Sequence, residues 1–220
     1  MYKPVKRILD MIFAIILLVI CAIPMIISAI LIKLNDGGPV IFKQKRIGKN
    51  LKPFYIYKFR TMTTKRKELD GTMTHDEMVT KVGKFLRKTS IDELPQLINI
   101  LKGEMSFIGP RPWIEDYYFF FTEEQKRRND VLPGISGLAQ VKGRNGITIF
   151  QKIDYDLEYV KNVNLWLDIK IVFWTIQKVL IWEEAEISER GIKEELEDLK
   201  KQNKPKEEYQ EVVWVTSIKK

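Results

Sequence analysis

Cysteine and histidine are almost absent: the 220-residue chain holds one of each, Cys21 and His75. A lone cysteine excludes an internal disulfide framework and is consistent with a reducing compartment. His75 lies in a polar stretch without metal-type neighbours, so it reads as a solvated surface residue. Zinc sites of the His/Cys kind and Ser-His or Cys-His nucleophiles therefore have almost nothing to draw on. Negative charge is also in deficit. Against 37 Lys and Arg stand 29 Asp and Glu, a formal net charge of +8. That balance attracts phosphates, anionic lipids or nucleic acid, and says little about fold. The length suits one domain, or one domain with appendages.

What is present is concentrated between Arg87 and Pro112. Two adjacent carboxylates, Asp92 and Glu93, stand between Arg87 and Arg111. They precede a short helical pattern, Leu94, Leu97, Ile98 and Leu101, that stops at Gly103. Pro95 has no N–H and fits only a first helical turn, which puts the carboxylates at or near that helix's N-terminus. Ionised carboxylates and phosphates are favoured there. Beyond the helix, Gly109-Pro110-Arg111-Pro112 is a rigid turn able to hold a guanidinium in one direction. Acid pair, helix end and fixed arginine together point to phosphoryl chemistry. The same residues also satisfy a capping box, Ser90 with Glu93 three residues on, which requires no catalysis.

Ile8 to Ile32 is a predominantly apolar run, interrupted by Asp10, Pro24 and Ser28. A straight helix of about 25 such residues would span a bilayer. The run is too long for a signal-peptide core, and no small-x-small cleavage site follows. Pro24 removes a helix hydrogen bond and clashes with the carbonyl of Ile20, so the helix is expected to kink or break. Positive residues flank both ends: Lys3, Lys6 and Arg7 before, Lys33, Lys43, Lys45 and Arg46 after. Neither end suits translocation. The expectation is a helix–break–helix that dips into the inner leaflet and returns, with an ordinary spanning anchor as the alternative.

Val40-Ile41-Phe42 and Phe54-Tyr55-Ile56-Tyr57 read as a β-hairpin joined by a longer loop. Lys43, Lys45, Arg46, Lys58 and Arg60 cluster about it; each could simply hold the domain to anionic lipid, contributing about 1 kcal/mol. Thr61 to Thr80 is polar and charged and reads as a loop with a helical start. The aromatics from Trp113 to Phe121 fit a lipid headgroup region or a soluble core equally well. Leu132 to Asn145, punctuated by Pro133, Gly134, Gly137 and Gly143, reads as a loop whose Arg144 can reach a phosphate or a nucleobase. Leu165 to Trp182 is apolar, but Asp168, Lys170, Gln177 and Lys178 make spanning unfavourable, so it reads as a helix at the interface or beneath the domain. From Glu183 on, mixed charges give a helical pattern at Ile192 to Leu199 and a short apolar run at 212–215.

These motifs, in order, resemble the bacterial sugar transferase family, the monotopic phosphoglycosyl transferases. The resemblance rests on LysPheArgThrMet at 58–62, the acid pair, GlyProArgPro at 109–112, ProGlyIleSerGly at 133–137 and AlaGlnValLysGlyArgAsn at 139–145, and covers residues 1 to 186. Three positions depart from the family pattern: Leu138 and Ile149 replace tryptophans, and Ile23 replaces the serine before the kink proline Pro24.

The resemblance implies an α+β fold, mainly helical, with a re-entrant membrane helix, a short hairpin and interfacial amphipathic helices around the active site. It divides the chain into an anchor (1–34), a catalytic domain (35–186) and a charged extension (187–220). It implies transfer of a sugar-1-phosphate from a UDP-sugar to undecaprenyl phosphate with release of UMP, the initiating step of a cell-surface glycoconjugate pathway. Asp92 matches the family's nucleophile, while Glu93 either helps coordinate Mg²⁺ or assists the lipid phosphate. Asp92 and Glu93 are the metal-ligand candidates, since oxygen-only ligands suit Mg²⁺ and attack of one anion on another requires a divalent cation. Arg87 and Arg111 are candidate phosphate clamps; Lys58, Arg60 and Arg144 fall in the family's substrate-side motifs. Membrane lipids are implied partners, and the cytoplasmic face of the bacterial inner membrane is the implied location. A direct glycosyltransferase releasing UDP and a non-catalytic membrane-surface adaptor are the rivals. A nucleic-acid binder has no recognition motif here. Sugar identity and oligomeric state, homo-oligomer included, are open.

Overall fold

A computed structural model describes residues 2–63, 78–143, 147–180 and 192–203. His75, Arg144, Trp182 and the 212–215 run lie outside the described residues. The chain opens with helices α1 (Tyr2–Ile20) and α2 (Ala22–Asp36), bent by 61° at Cys21. The bend has the cause read from the sequence. Pro24 has no N–H for the Ile20 carbonyl, so α1 stops at Ile20 and Pro24 falls in the first turn of α2. The one hydroxyl donating near the bend among the described residues is Ser28, to the Pro24 carbonyl at 2.7 Å. Among the described residues no single helix is long and apolar enough to cross a membrane; the bent pair together passes by length and composition, as a broken span or a re-entrant loop.

This pair is inside-out. It buries Asp10, Ala14, Ser28 and Ile32, and exposes Ile8, Ile12, Phe13, Ile16, Val19, Ile23, Ile27 and Leu34 among others. Water would not favour such a distribution, because apolar side chains gain by leaving it.

Gly37, at φ 71°, ends α2 and donates to Lys33 O at 2.9 Å. An antiparallel hairpin follows, β1 (Ile41–Ile47) and β2 (Pro53–Phe59), in register from Ile41↔Phe59 to Ile47↔Pro53. Then come α3 (Lys81–Lys88), a 3₁₀ turn at Ile91–Glu93 and α4 (Gln96–Lys102). β3 (Ser106–Ile108) is followed by the short α5 (Glu123–Lys126) and by β4 (Gly134–Ser136), which pairs with β3 in parallel. The described residues finish with α6 (Leu138–Lys142), α7 (Ile149–Asn162), α8 (Leu165–Leu180) and α9 (Ile192–Gln202).

One apolar cluster joins Ala14 of α1, Phe54 and Ile56 of β2, Leu97 and Ile100 of α4, and Met105. Its hairpin members alternate, as one buried sheet face requires. A second gathers Ile108, Leu138, Val141, Tyr159 and Ile171. A third holds Trp113, Tyr117 and Phe121 against Ile149, Ile153 and Leu199. The aromatic stretch is therefore core. The expectation of a loop over 132–145 is corrected by β4 and α6. Three residues are too short a strand to leave a periodic pattern, and glycine is needed there because a Cβ on Gly134 would lie 2.2 Å from Gly109 N. α8 buries Asp168 and Ile171 while exposing Leu165, Trp166, Ile169 and Phe173, a second outward apolar face.

Candidate active site

The acid pair sits on the 3₁₀ turn before α4. Ile91 packs with Ile32, Phe59 and Leu86, and Leu94 packs on the cluster under α4, so the turn is pinned at both ends. Ser90 adopts the left-handed region, φ 56°, and its side chain makes no cap bond. The capping-box alternative is thereby set aside: Glu93 is engaged by cations instead. Lys58 Nζ, from β2, reaches Glu93 Oε1 at 2.5 Å, and Arg111 Nη2 reaches the same oxygen at 3.1 Å. Burial alone would raise the Glu93 pKa, yet Arg111 and Lys58 outweigh it and hold the group down at about 2.

Asp92 is in the opposite condition. Its residue is 9 % exposed, and among the described residues no hydrogen bond or ion pair reaches its carboxylate. Burial and the neighbouring Glu93 push its pKa up to about 6, against the lowering influence of Lys58, Arg87 and Arg111. Adjacent carboxylates thus differ: Glu93 is locked in an ion-pair triad, while Asp92 has no side-chain partner among the described residues.

Arg87 donates from Nε to Thr61 Oγ1 at 3.0 Å. Its helix starts with Thr80 accepting from Gly83 N–H at 2.9 Å, and Gly83 is needed because a Cβ there would meet Thr61 O at 2.0 Å. Arg60, grouped with the phosphate-binding candidates, ion-pairs with Asp36 at the end of α2, Nη1 to Oδ2 at 2.8 Å, with both side chains buried. The structure thus brings Lys58, Arg87 and Arg111 around the acid pair, and ties Arg60 to the anchor's last turn.

Sequence reading missed the residues that fix the GlyProArgPro turn. Four successive carbonyls each accept one hydrogen bond: Pro110 from Gly134 N at 3.0 Å, Arg111 from Arg128 Nη2 at 2.6 Å, Pro112 from Arg46 Nη1 at 3.3 Å and Trp113 from Ile47 N at 3.0 Å. Arg46 was visible only as part of a basic cluster, and Arg128 only as one charge in GluGluGlnLysArgArg.

The family model described as bacterial sugar transferase matches residues 1–182. The chain belongs to the bacterial sugar transferase family. Over 178 residues this sugar transferase is 45% identical to the uncharacterized sugar transferase EpsL of Bacillus subtilis, covering 81% of this chain and 88% of that one. It is 41% identical to the UDP-glucose:undecaprenyl-phosphate glucose-1-phosphate transferase of Klebsiella pneumoniae, over 80% of this chain and 40% of that protein. It is 40% identical to the protein of the same name from Caulobacter vibrioides, over 82% of this chain and 71% of the relative. The sugar transferase thus spans most of some relatives and about two-fifths of others.

Among the described residues no three His, Cys, Asp or Glu side chains converge as a metal cage. The donor set nonetheless fits magnesium, which takes one or two carboxylates and completes its shell with water and substrate phosphates. Asp92 is unpartnered, and both cations on Glu93 bind Oε1, leaving Oε2 for a further ligand.

Proposed function

We propose that this sugar transferase is a monotopic phosphoglycosyl transferase, moving a sugar-1-phosphate from a UDP-sugar to undecaprenyl phosphate and releasing UMP. The observation that carries the reading is Asp92: a buried, unpartnered carboxylate beside a Glu93 that two cations keep ionised. The names of several relatives supply the donor and acceptor classes.

In the first step an Asp92 carboxylate oxygen attacks the phosphorus bonded to the sugar phosphate oxygen. A bond from Asp92 to phosphorus forms, the diphosphate bridge breaks, and UMP leaves with the bridging electron pair. In the second, a phosphate oxygen of the lipid attacks the same phosphorus and Asp92 departs as carboxylate. Arg111 and Arg87 offer fixed positive charge where the diphosphate must lie. Glu93 either contributes a metal ligand or orients the lipid phosphate. Magnesium, when bound by Asp92 and Glu93, supplies neutralisation of the diphosphate charge.

The acceptor's phosphate lies in the headgroup plane, on a tail that stays in the bilayer. The outward isoleucines of α1 and α2 and the outward face of α8 suit an enzyme held at that plane, with α1 and α2 re-entrant from the cytoplasmic face of the bacterial inner membrane. Positive charge on both flanks favours return over crossing.

The test is a panel of UDP-sugars with undecaprenyl phosphate, protein in detergent or lipid disc, scored for UMP. Release of UDP instead would make it a direct glycosyltransferase; no magnesium-dependent turnover would favour the adaptor. The variant Asp92→Asn should abolish both transfer and UMP release. Mass spectrometry of protein quenched after mixing with donor alone should find a phospho-sugar adduct on residue 92.

A further inference from the structure

Arg128 is 1 % exposed, and nothing in its local sequence marks it as part of the site. It follows α5 in a 3₁₀ turn, Arg127–Asn129, and its guanidinium is used on every edge. Nε and Nη2 donate to Asp156 Oδ2 of α7 at 3.0 and 2.6 Å, and Nη1 donates to Tyr118 Oη at 3.0 Å. The guanidinium carbon Cζ lies over the Trp113 ring, 4.2 Å from the centroid. Nη2 also donates at 2.6 Å to the backbone carbonyl of Arg111.

That last bond goes beyond what an ion pair in the core requires. The Arg111 side chain is 47 % exposed and its one ion pair among the described residues is with Glu93, so whether it reaches that oxygen depends on where its backbone starts it. Prolines on either side of Arg111 carry no N–H groups, and the turn is held chiefly through its carbonyls. The carbonyl that Arg128 grips belongs to the residue whose guanidinium reaches Glu93. We propose that Arg128, oriented by Asp156, is a positioning residue for phosphoryl transfer, acting through the Arg111 carbonyl to aim the Arg111 guanidinium at the acid pair. This rests on the phosphoglycosyl transferase reading given above.

The test is a double-mutant cycle on UMP release. Arg128→Lys keeps a charge for Asp156, but one ammonium does not reproduce the planar fork that reaches Asp156, Tyr118 and Arg111 together. The expected result is a fall in kcat on the order of 10- to 100-fold, with donor KM changed less than about threefold. In an Arg111→Ala background the same Arg128→Lys change should lower kcat less than about twofold, because its route of action is gone. The paired variant Arg128→Met with Asp156→Leu removes both charges of the buried pair, a replacement cores tolerate, and should behave the same way. An equal kcat loss with and without Arg111 would reduce Arg128 to a general structural role and overturn the proposal. Unfolding of both Arg128 variants, read by thermal melting, would overturn it too. Wild-type protein that releases no UMP from any donor would instead sink the underlying reading, and this proposal with it.

Discussion

Arg7 Nη1 donates to the Ile100 carbonyl at 2.6 Å, so the apolar N-terminal helix caps the far end of the helix that begins beside the acid pair. Nη2 adds a bond to Leu101 O at 3.1 Å. These carbonyls belong to the last turn of α4, where the i+4 donors have run out; Ile100 O also accepts from the Gly103 N–H at 3.0 Å. The variant Arg7→Met should lower stability by about 1–2 kcal/mol. Thermal melting in detergent checks it, with Lys3→Met, an exposed neighbour, expected to change little.

Lys58 and Arg111 share Glu93 Oε1, and each supports the ionised state of that carboxylate. Lys58→Met leaves Arg111 alone on Glu93, so the Glu93 pKa should climb from about 2 and turnover should fall. Glu93→Gln should cut turnover while leaving UDP-sugar binding detectable by calorimetry. A Glu93→Gln protein that no longer binds donor at all would show the residue to be a binding element.

Asp92, pushed to about 6 by burial and by Glu93, is protonated below that pH and ionised above it. A carboxylate nucleophile is competent only when ionised, so turnover with magnesium should fall as pH drops below this value. Carbon-13 NMR of the metal-free protein should find one aspartate titrating near 6. Adding magnesium should shift that titration to lower pH, since a cation favours the ionised form. No shift with magnesium would remove Asp92 from the metal-ligand set.

Leu199 of α9 is fully buried against the aromatic cluster of Trp113, Tyr117 and Phe121. Glu195 fastens the same helix, accepting from Tyr117 Oη at 2.6 Å and from Lys152 Nζ at 2.6 Å. Leu199→Ala should cost about 2–4 kcal/mol of α9 docking. Limited proteolysis should then cleave within 192–203 faster than in the wild type.

The acid pair, the arginine turn and the helix break were legible because each is a local matter. Pro24 dictates its effect on Ile20 four residues back, and Pro95 dictates where a helix can start. Lys58 and Arg111 were legible through their motifs, although the single Glu93 oxygen they share was not. Pairings between distant segments left no such trace. Arg60 is a basic residue like Lys58 in sequence, yet Asp36 captures it. Arg128 and Asp156 stand 28 residues apart, and nothing local announces that they meet beneath the arginine turn. The β3–β4 ladder was hidden by its length, and the aromatic run could not declare its environment until α7 and α9 were seen to cover it.

Ala14 sits at 0 % exposure among Leu97, Ile100 and Met105, and Asp10 accepts from Phe107 N–H at 3.3 Å. The N-terminal helix is thus a wall of the body that carries the acid pair. Cutting it away would not liberate a water-soluble enzyme; it would strip one side from the apolar cluster under α4. Any attempt to engineer this protein for work without lipid has to rewrite the outward isoleucines in place and leave the inward row untouched.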